Sequence, residues 1–417
     1  MDMAAVAFTL LILAFAAVAR GLSRLYLTAP IAFVGAGAAL SLIVSAPELD
    51  AVLPIRLVAE ICLALVLFAE AAHVRPGQIR ADGLVIARML LIGLALSIGL
   101  GYLTVRLLLP ELTVMGAVLL AAVLAPTDAG LGAPVVTSPR VPARIRRLLS
   151  VESGLNDGIV LPIVLFTIAG LAGSGEQPGP AEAVLAPLAG AGIGALIGVG
   201  GGRLLGWSVR RDFSTPRTRG LGVLGLAGLS FSLAHAVGAN GYVSAFAAGT
   251  AFAAATAWNT PDSGALELVE TLSEPLGFAV WLVFGLVAVP FILTEAGWPE
   301  LVVAVLSLVV VRTVAVWVAL LGTGLRLPTV AFLGWFGPRG LVTVVFVLIA
   351  LESLEVTEGG RSAIAAAVLT VLLSVLAHGL SAEPLAERYG RWVDRTRPRA
   401  ETGAGPDAVE HATTRNG

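Results

Sequence analysis

From Ala4 to about Ser381 the chain is a succession of long, continuously apolar runs broken by short polar segments, and this restricts its fold more than any other feature. Hydrophobic residues make up 57% of the chain and charged residues 13%, about half the charged share of a soluble domain. A water-soluble fold has nowhere to bury such runs, and disorder requires the opposite composition. Crossing roughly 30 Å of hydrocarbon takes about 20 apolar residues in a helix. The runs do not alternate, which favours helices over a closed barrel, the other structure that satisfies its own backbone in lipid. The sequence therefore predicts an all-α polytopic membrane protein. About 13 spans are expected, at 4–19, 30–46, 52–74, 84–109, 113–137, 146–173, 182–208, 219–237, 241–257, 268–294, 299–322, 329–351 and 361–381.

The placement of basic residues orients these spans. All 26 are arginine. One set of loops holds Arg20 and Arg24; Arg75 and Arg80; Arg140, Arg144, Arg146 and Arg147; Arg210, Arg211, Arg217 and Arg219; and Arg326. The opposite loops hold Arg361 with Glu48, Asp50, Glu111, Glu295, Glu352, Glu355 and Glu358, while Arg56 and Arg106 are exceptions near outer ends. The positive-inside rule makes the first set cytoplasmic, so the N-terminus is expected outside a plasma or inner membrane and the C-terminus inside. No basic residue precedes Arg20, so 4–19 reads as a first span and not as a cleaved signal. Residues 1–385 are expected to form the membrane domain, and 386–417 a short, disordered cytoplasmic tail. A net charge of −2 leaves nucleic-acid binding without electrostatic footing, and the single Cys62 excludes an intrachain disulfide or a thiolate metal site.

A charge at the centre of a membrane helix costs about 2.5–3.5 kcal/mol, so such residues read as functional by default. Within the spans lie Glu60, Glu70, Asp128, Glu152, Asp157, Arg312 and Arg339. Asp128 belongs to Ala-Pro-Thr-Asp-Ala-Gly at 125–130, where Pro126, Gly130, Gly132 and Pro134 oppose a continuous helix. A broken helix frees backbone groups near the midplane, where transporters coordinate small ions. On the next span Glu152 and Asn156, and likewise Ser153 and Asp157, are four residues apart and share adjoining faces. Together with Asp128 they offer a small pocket of hard oxygens, suited to Na⁺ or K⁺. Three carboxylates crowded in low dielectric do not all stay ionised unaided. Proton and cation then compete for Asp157. The plainer alternative is that these carboxylates cap helices at a cytoplasmic loop.

A second interruption, Gly-Trp-Phe-Gly-Pro-Arg-Gly at 334–340, falls in the twelfth span. With the seventh span as a linker, the thirteen divide as six, one and six, and the broken fifth and twelfth occupy matching positions. Such pairing points to inverted six-helix repeats and to the transport site.

These residues resemble the monovalent cation:proton antiporter-1 family, the sodium/proton exchangers and their prokaryotic relatives. The resemblance is carried by Thr127-Asp128, Glu152-Ser153, Asn156-Asp157 and Gly337-Pro338-Arg339-Gly340, with a weaker echo at 241–249. It implies a core domain with two unwound, crossing helices moving against a scaffold domain that dimerises. It implies that Asp157 carries the ion and proton, that Asp128, Thr127, Ser153 and Glu152 complete or support the cation shell, and that Asn156 holds the geometry. Arg339 is expected to pair with a buried acid, Glu70 first and Glu152 second. Asn156 before the carrier implies electroneutral, one-for-one exchange. Ala129 stands where the family usually has proline.

No enzymatic activity and no cofactor are expected beyond the transported Na⁺ or K⁺ and H⁺. The competing reading, a sodium-coupled solute or anion symporter of related fold, requires basic groups facing an anion, whereas the buried site is net acidic. A membrane-embedded hydrolase requires a Ser–His or His–Glu pairing that the spacing does not offer. His73, His235 and His378 read as packing histidines, with His73, one turn from Glu70, a possible pH sensor. Arg312 and Glu60 need partners that the sequence does not name.

Overall fold

In the computed structural model, residues 2–43, 49–74, 76–171, 180–256, 264–355 and 359–402 are described, and every regular element among them is helical. Three helices open the chain: α1 (Asp2–Arg24), α2 (Ala29–Leu40) and α3 (Leu49–His73). Helix α4 (Pro76–Arg88) passes through a π-helical turn, Met89–Gly93, into α5 (Leu94–Leu108). Then follow α6 (Val114–Val123), the short α7 (Ala133–Val136) and α8 (Ala143–Leu171). Next come α9 (Pro180–Arg210), α10 (Pro216–Ala236), α11 (Gly241–Thr256) and α12 (Gly264–Glu295). Helix α13 (Trp298–Val305) passes through a second π-helical turn, Leu306–Val311, into α14 (Arg312–Leu320). The chain closes with α15 (Leu327–Trp335), α16 (Leu341–Glu355), α17 (Gly360–Thr396) and α18 (Arg399–Thr402). Among the described residues, seven helical stretches are long and apolar enough to cross a membrane, and α2, α6 and part of α16 are shorter apolar helices. The all-helical membrane fold read from composition is the fold observed.

The helices sort into two bundles. In one, α2, α3, α9, α10, α11 and α12 pack on one another; in the other, α4 to α8 pack with α13 to α17. They meet where α3 lies against α8 and α16, and where α12 lies against α16 and α17. Because lipid is as apolar as leucine, helices associate in membranes through close van der Waals contact between small residues. On α9, Gly190, Gly194 and Gly198 lie so close to the carbonyl oxygens of Asn240, Ser244 and Ala248 that a Cβ at any of them collides with backbone. The abundance of glycine in this chain thus serves backbone-to-backbone packing.

One expectation is corrected here. The chain does not become a disordered tail at residue 386: α17 continues to Thr396 and α18 follows. Ala382, Ala386, Tyr389 and Val393 recur at helical spacing and are buried, with Tyr389 stacked on Phe332 at 4.2 Å between ring centroids. That apolar stripe sits among enough arginines to hide in a composition count. Residues 403–417 lie outside the described residues, as do Glu48, Arg75 and Glu358 among the loop charges used for orientation.

Candidate functional site

Two helix breaks build the site. Helix α6 ends at Val123, and Pro126 has no N–H with which to extend it. Helix α15 ends at Trp335, and Pro338 acts in the same way before α16 begins at Leu341. The two unwound segments are joined by a hydrogen bond from the Asp128 N–H to the Pro338 carbonyl at 2.9 Å. Each segment leaves helix ends in the protein interior, where unpaired N–H and C=O groups are costly.

Asp128 takes up the donors. Its Oδ1 accepts from the Gly130 and Leu131 N–H groups at 2.6 and 3.3 Å, and its Oδ2 accepts from the N–H of Leu341, the first residue of α16, at 2.7 Å. A carboxylate at a helix N-terminus is favoured both by hydrogen bonding and by the helix dipole. Gly340 is required beside it, since a Cβ there collides with the Asp128 carboxylate.

Arg339 takes up the acceptors. Its guanidinium donates to the carbonyls of Leu124, at the end of α6, and Gly337, just past α15, and its own N–H donates to Ser374 Oγ at 2.7 Å. It is 0% exposed. This corrects the expected Arg339–Glu70 ion pair: two frayed helix C-termini need a cation, and the planar guanidinium serves them both. The second-choice partner, Glu152, is engaged elsewhere. Arg312 donates to both its oxygens, at 2.5 and 2.7 Å, and the pair is 2% and 3% exposed. Arg312 thus has the partner that the sequence did not name, and Glu152 has both oxygens committed to it.

What remains is Asp157, on α8 and 1% exposed. No donor reaches either of its carboxylate oxygens. Nor does one reach Oε2 of Glu70, on α3, or Oδ1 of Asn156. Glu70 lies where α3 packs against α8, its backbone carbonyl beside Gly154, three residues before Asp157, so the two carboxyls are neighbours. Glycines let α8 close on both α3 and α11 here. A Cβ at Gly154 would stand 3.0 Å from the Glu70 backbone carbonyl, and one at Gly158 would enter the Phe246 ring. Alongside, Asn156 Nδ2 donates to Thr127 Oγ1 at 2.8 Å, and Thr127 Oγ1 lies 3.0 Å from Ser153 Oγ. This network ties the first break to α8.

The candidate residues therefore separate. Thr127, Ser153 and Asn156 are mutually bonded, Asp128 and Arg339 close helix ends, Glu152 belongs to Arg312, and Asp157 adjoins Glu70. Buried polar atoms are nearly always paired, and these four oxygens are not. His378 is a packing residue, its ring nitrogens 3.0 and 2.9 Å from the Ser374 and Trp335 carbonyls. His73 Nε2 lies 2.8 Å from Glu270 Oε1 on α12. Sequence reasoning missed Asp82, which Arg144 and Arg147 clasp at 2.7 and 2.8 Å. The contact joins segments 62 and 65 residues apart, which the sequence does not bring together.

The chain is similar to known proteins. The profile of the sodium/hydrogen exchanger family, transmembrane, matches residues 10–388. A K(+)/H(+) antiporter NhaP2 of Shewanella oneidensis is 25% identical over 271 residues, covering 63% of this chain and 45% of its own. Its counterpart in Shewanella sp. strain ANA-3 is 24% identical over 267 residues, with the same coverage. The chain thus spans less than half the length of these curated relatives. Among solved structures, the sodium proton antiporter MjNhaP1 of Methanocaldococcus jannaschii at pH 8 superposes with a TM-score of 0.75 at 18% identity, covering 91% of this chain and 99% of that one. Its electron-microscopy structure gives 0.74 at the same identity. At that identity the likeness shows the fold. These matches carry exchanger and antiporter names, which leaves the symporter alternative without support.

Proposed function

The chain belongs to the sodium/hydrogen exchanger family, and we propose on that footing that it exchanges a monovalent cation, Na⁺ or K⁺, for protons by alternating access. The observation that carries this reading is the buried carboxyl of Asp157 beside the half-buried Glu70, with both Asp157 oxygens and Glu70 Oε2 receiving no donor from the protein. Two ionised carboxylates repel strongly in low dielectric. A shared proton relieves the repulsion, and so does a cation bound between them with Asn156 Oδ1 as a neutral ligand. Each occupant removes the reason for the other, and this competition couples the two fluxes. Thr127 and Ser153 support the shell through Asn156, while Asp128 and Arg339 hold the crossing open by neutralising helix ends. One cation then replaces one proton, and exchange is electroneutral. No covalent step is involved, so the chain is a transporter and not an enzyme.

Asp157 and Glu70 sit on different bundles. Sliding one bundle against the other carries Asp157 past Glu70 and is a direct way to turn the carrier carboxyl from one side of the membrane to the other. The proposed frame is thirteen spans in inverted repeats, N-terminus outside and C-terminus cytoplasmic, assembled as a homodimer. The repeat is supported by two correspondences: the π-helical turns fall in the fourth and eleventh proposed spans, and the breaks in the fifth and twelfth. The test is a pH-sensitive dye in inverted vesicles. Adding Na⁺ or K⁺ collapses a preformed proton gradient in the wild type, and no collapse with either cation refutes the reading.

A further inference from the structure

The cytoplasmic start of α15 is closed by the far end of the chain. Arg326 occupies the N-cap position, and its own side chain makes no capping bond. Glu401, on α18, fills that role instead. Its Oε1 accepts from the Arg326 N–H at 2.8 Å and from the Thr329 hydroxyl at 2.8 Å. Thr329 Oγ1 lies 3.0 Å from the Tyr389 hydroxyl, which brings in α17. The preceding carbonyl, of Ala400, accepts from Arg144 at the start of α8, and Arg144 also holds Asp82 on α4. Glu401 and Thr329 are both 0% exposed. Residues Arg399–Thr402 thus bind the starts of α8 and α15 directly and reach α4 and α17 through Arg144 and Thr329.

The far end of α15 runs directly into the crossing. Just beyond it, the carbonyls of Gly337 and Pro338 bind Arg339 and the Asp128 N–H. Helix α8 carries Asp157. A half-helix of nine residues is too short to hold its own place, and its position depends on what secures its ends. We propose that Arg399–Thr402 is a strap that sets where the α15 half-helix stands relative to Asp157, with Glu401 as a positioning residue for cation binding. Its cost in transport rests on the antiport reading; its effect on α15 does not.

The experiment uses the full chain and three variants. Glu401→Ala removes the acceptor, Glu401→Gln keeps an acceptor oxygen without the charge, and Thr329→Val removes one of its two donors. In the vesicle assay Glu401→Ala raises the cation KM about 3–10-fold with maximal rate within about two-fold, the loss expected of a cap. Glu401→Gln stays near wild type and Thr329→Val falls between. Hydrogen–deuterium exchange of the segment 326–335 is faster in Glu401→Ala and unchanged in Glu401→Gln. An unaltered KM and an unaltered exchange rate in Glu401→Ala overturn the strap. If that variant does not yield a monodisperse protein, a wild-type KM in Thr329→Val overturns it. A wild type without cation/proton exchange sinks the antiport reading and leaves the hydrogen-exchange result to decide the strap alone.

Discussion

Asp128 and Asp157 are both carboxylates buried near the crossing of the broken helices, yet they live in opposite circumstances. Asp128 accepts three backbone N–H bonds. Asp157 accepts none, and has a second carboxyl as its neighbour. The first charge is balanced by the fold and stays with it. On the proposed reading, the second is left for a mobile ion to balance. Arg312–Glu152 repeats the lesson in another form, since a bidentate buried pair leaves no oxygen free to carry an ion. On that reading, transport falls to the carboxylate that the protein leaves unsatisfied on both oxygens.

Substitutions sharpen or break this contrast. The largest effect expected is from Asp157→Asn: exchange falls to background in the vesicle assay, while the melting temperature holds or rises because a buried charge without donors has been removed. Wild-type rates in that variant at equal expression refute its assignment. Arg312→Met leaves Glu152 buried and unpaired, at a cost of about 3–5 kcal/mol. Thermal melts of detergent-solubilised protein read that loss, and Arg312→Met with Glu152→Met recovers most of it. Asp128→Asn keeps one good acceptor and turns an amide toward a remaining N–H, costing about 1–3 kcal/mol. Some exchange survives, and a complete loss with unchanged melting makes Asp128 an ion carrier after all. The smallest effect is from Glu70→Gln, which keeps the fold and weakens the cation KM about ten-fold by trading a charged ligand for a neutral one. An unchanged KM removes Glu70 from the site.

Much of the fold is legible in residues that lipid and backbone geometry leave little choice. Uninterrupted apolar runs must be helices, and Pro126 and Pro338 lack the N–H that a continuous helix needs. The pairing of buried charges is a different matter. Glu70 and Glu152 are both available to Arg339 by charge and rough depth. The structure gives its guanidinium to two carbonyls, acceptors that exist only once the helices have broken. Helix-end chemistry competes with ion pairing here, and a one-dimensional inventory of charges does not contain it. The docked C-terminal segment escaped notice for a related reason: Glu401 has no meaning in sequence until the start of α15 lies beside it.

The central claim is that proton and cation exclude each other at the Asp157–Glu70 pair, and proton release on cation binding tests it most directly. Purified protein in weak buffer, titrated with Na⁺ and then with K⁺ beside a pH dye, releases about one proton for each cation bound, and Asp157→Asn releases none. Stoichiometric cation binding to the wild type with no acidification of the medium contradicts the account.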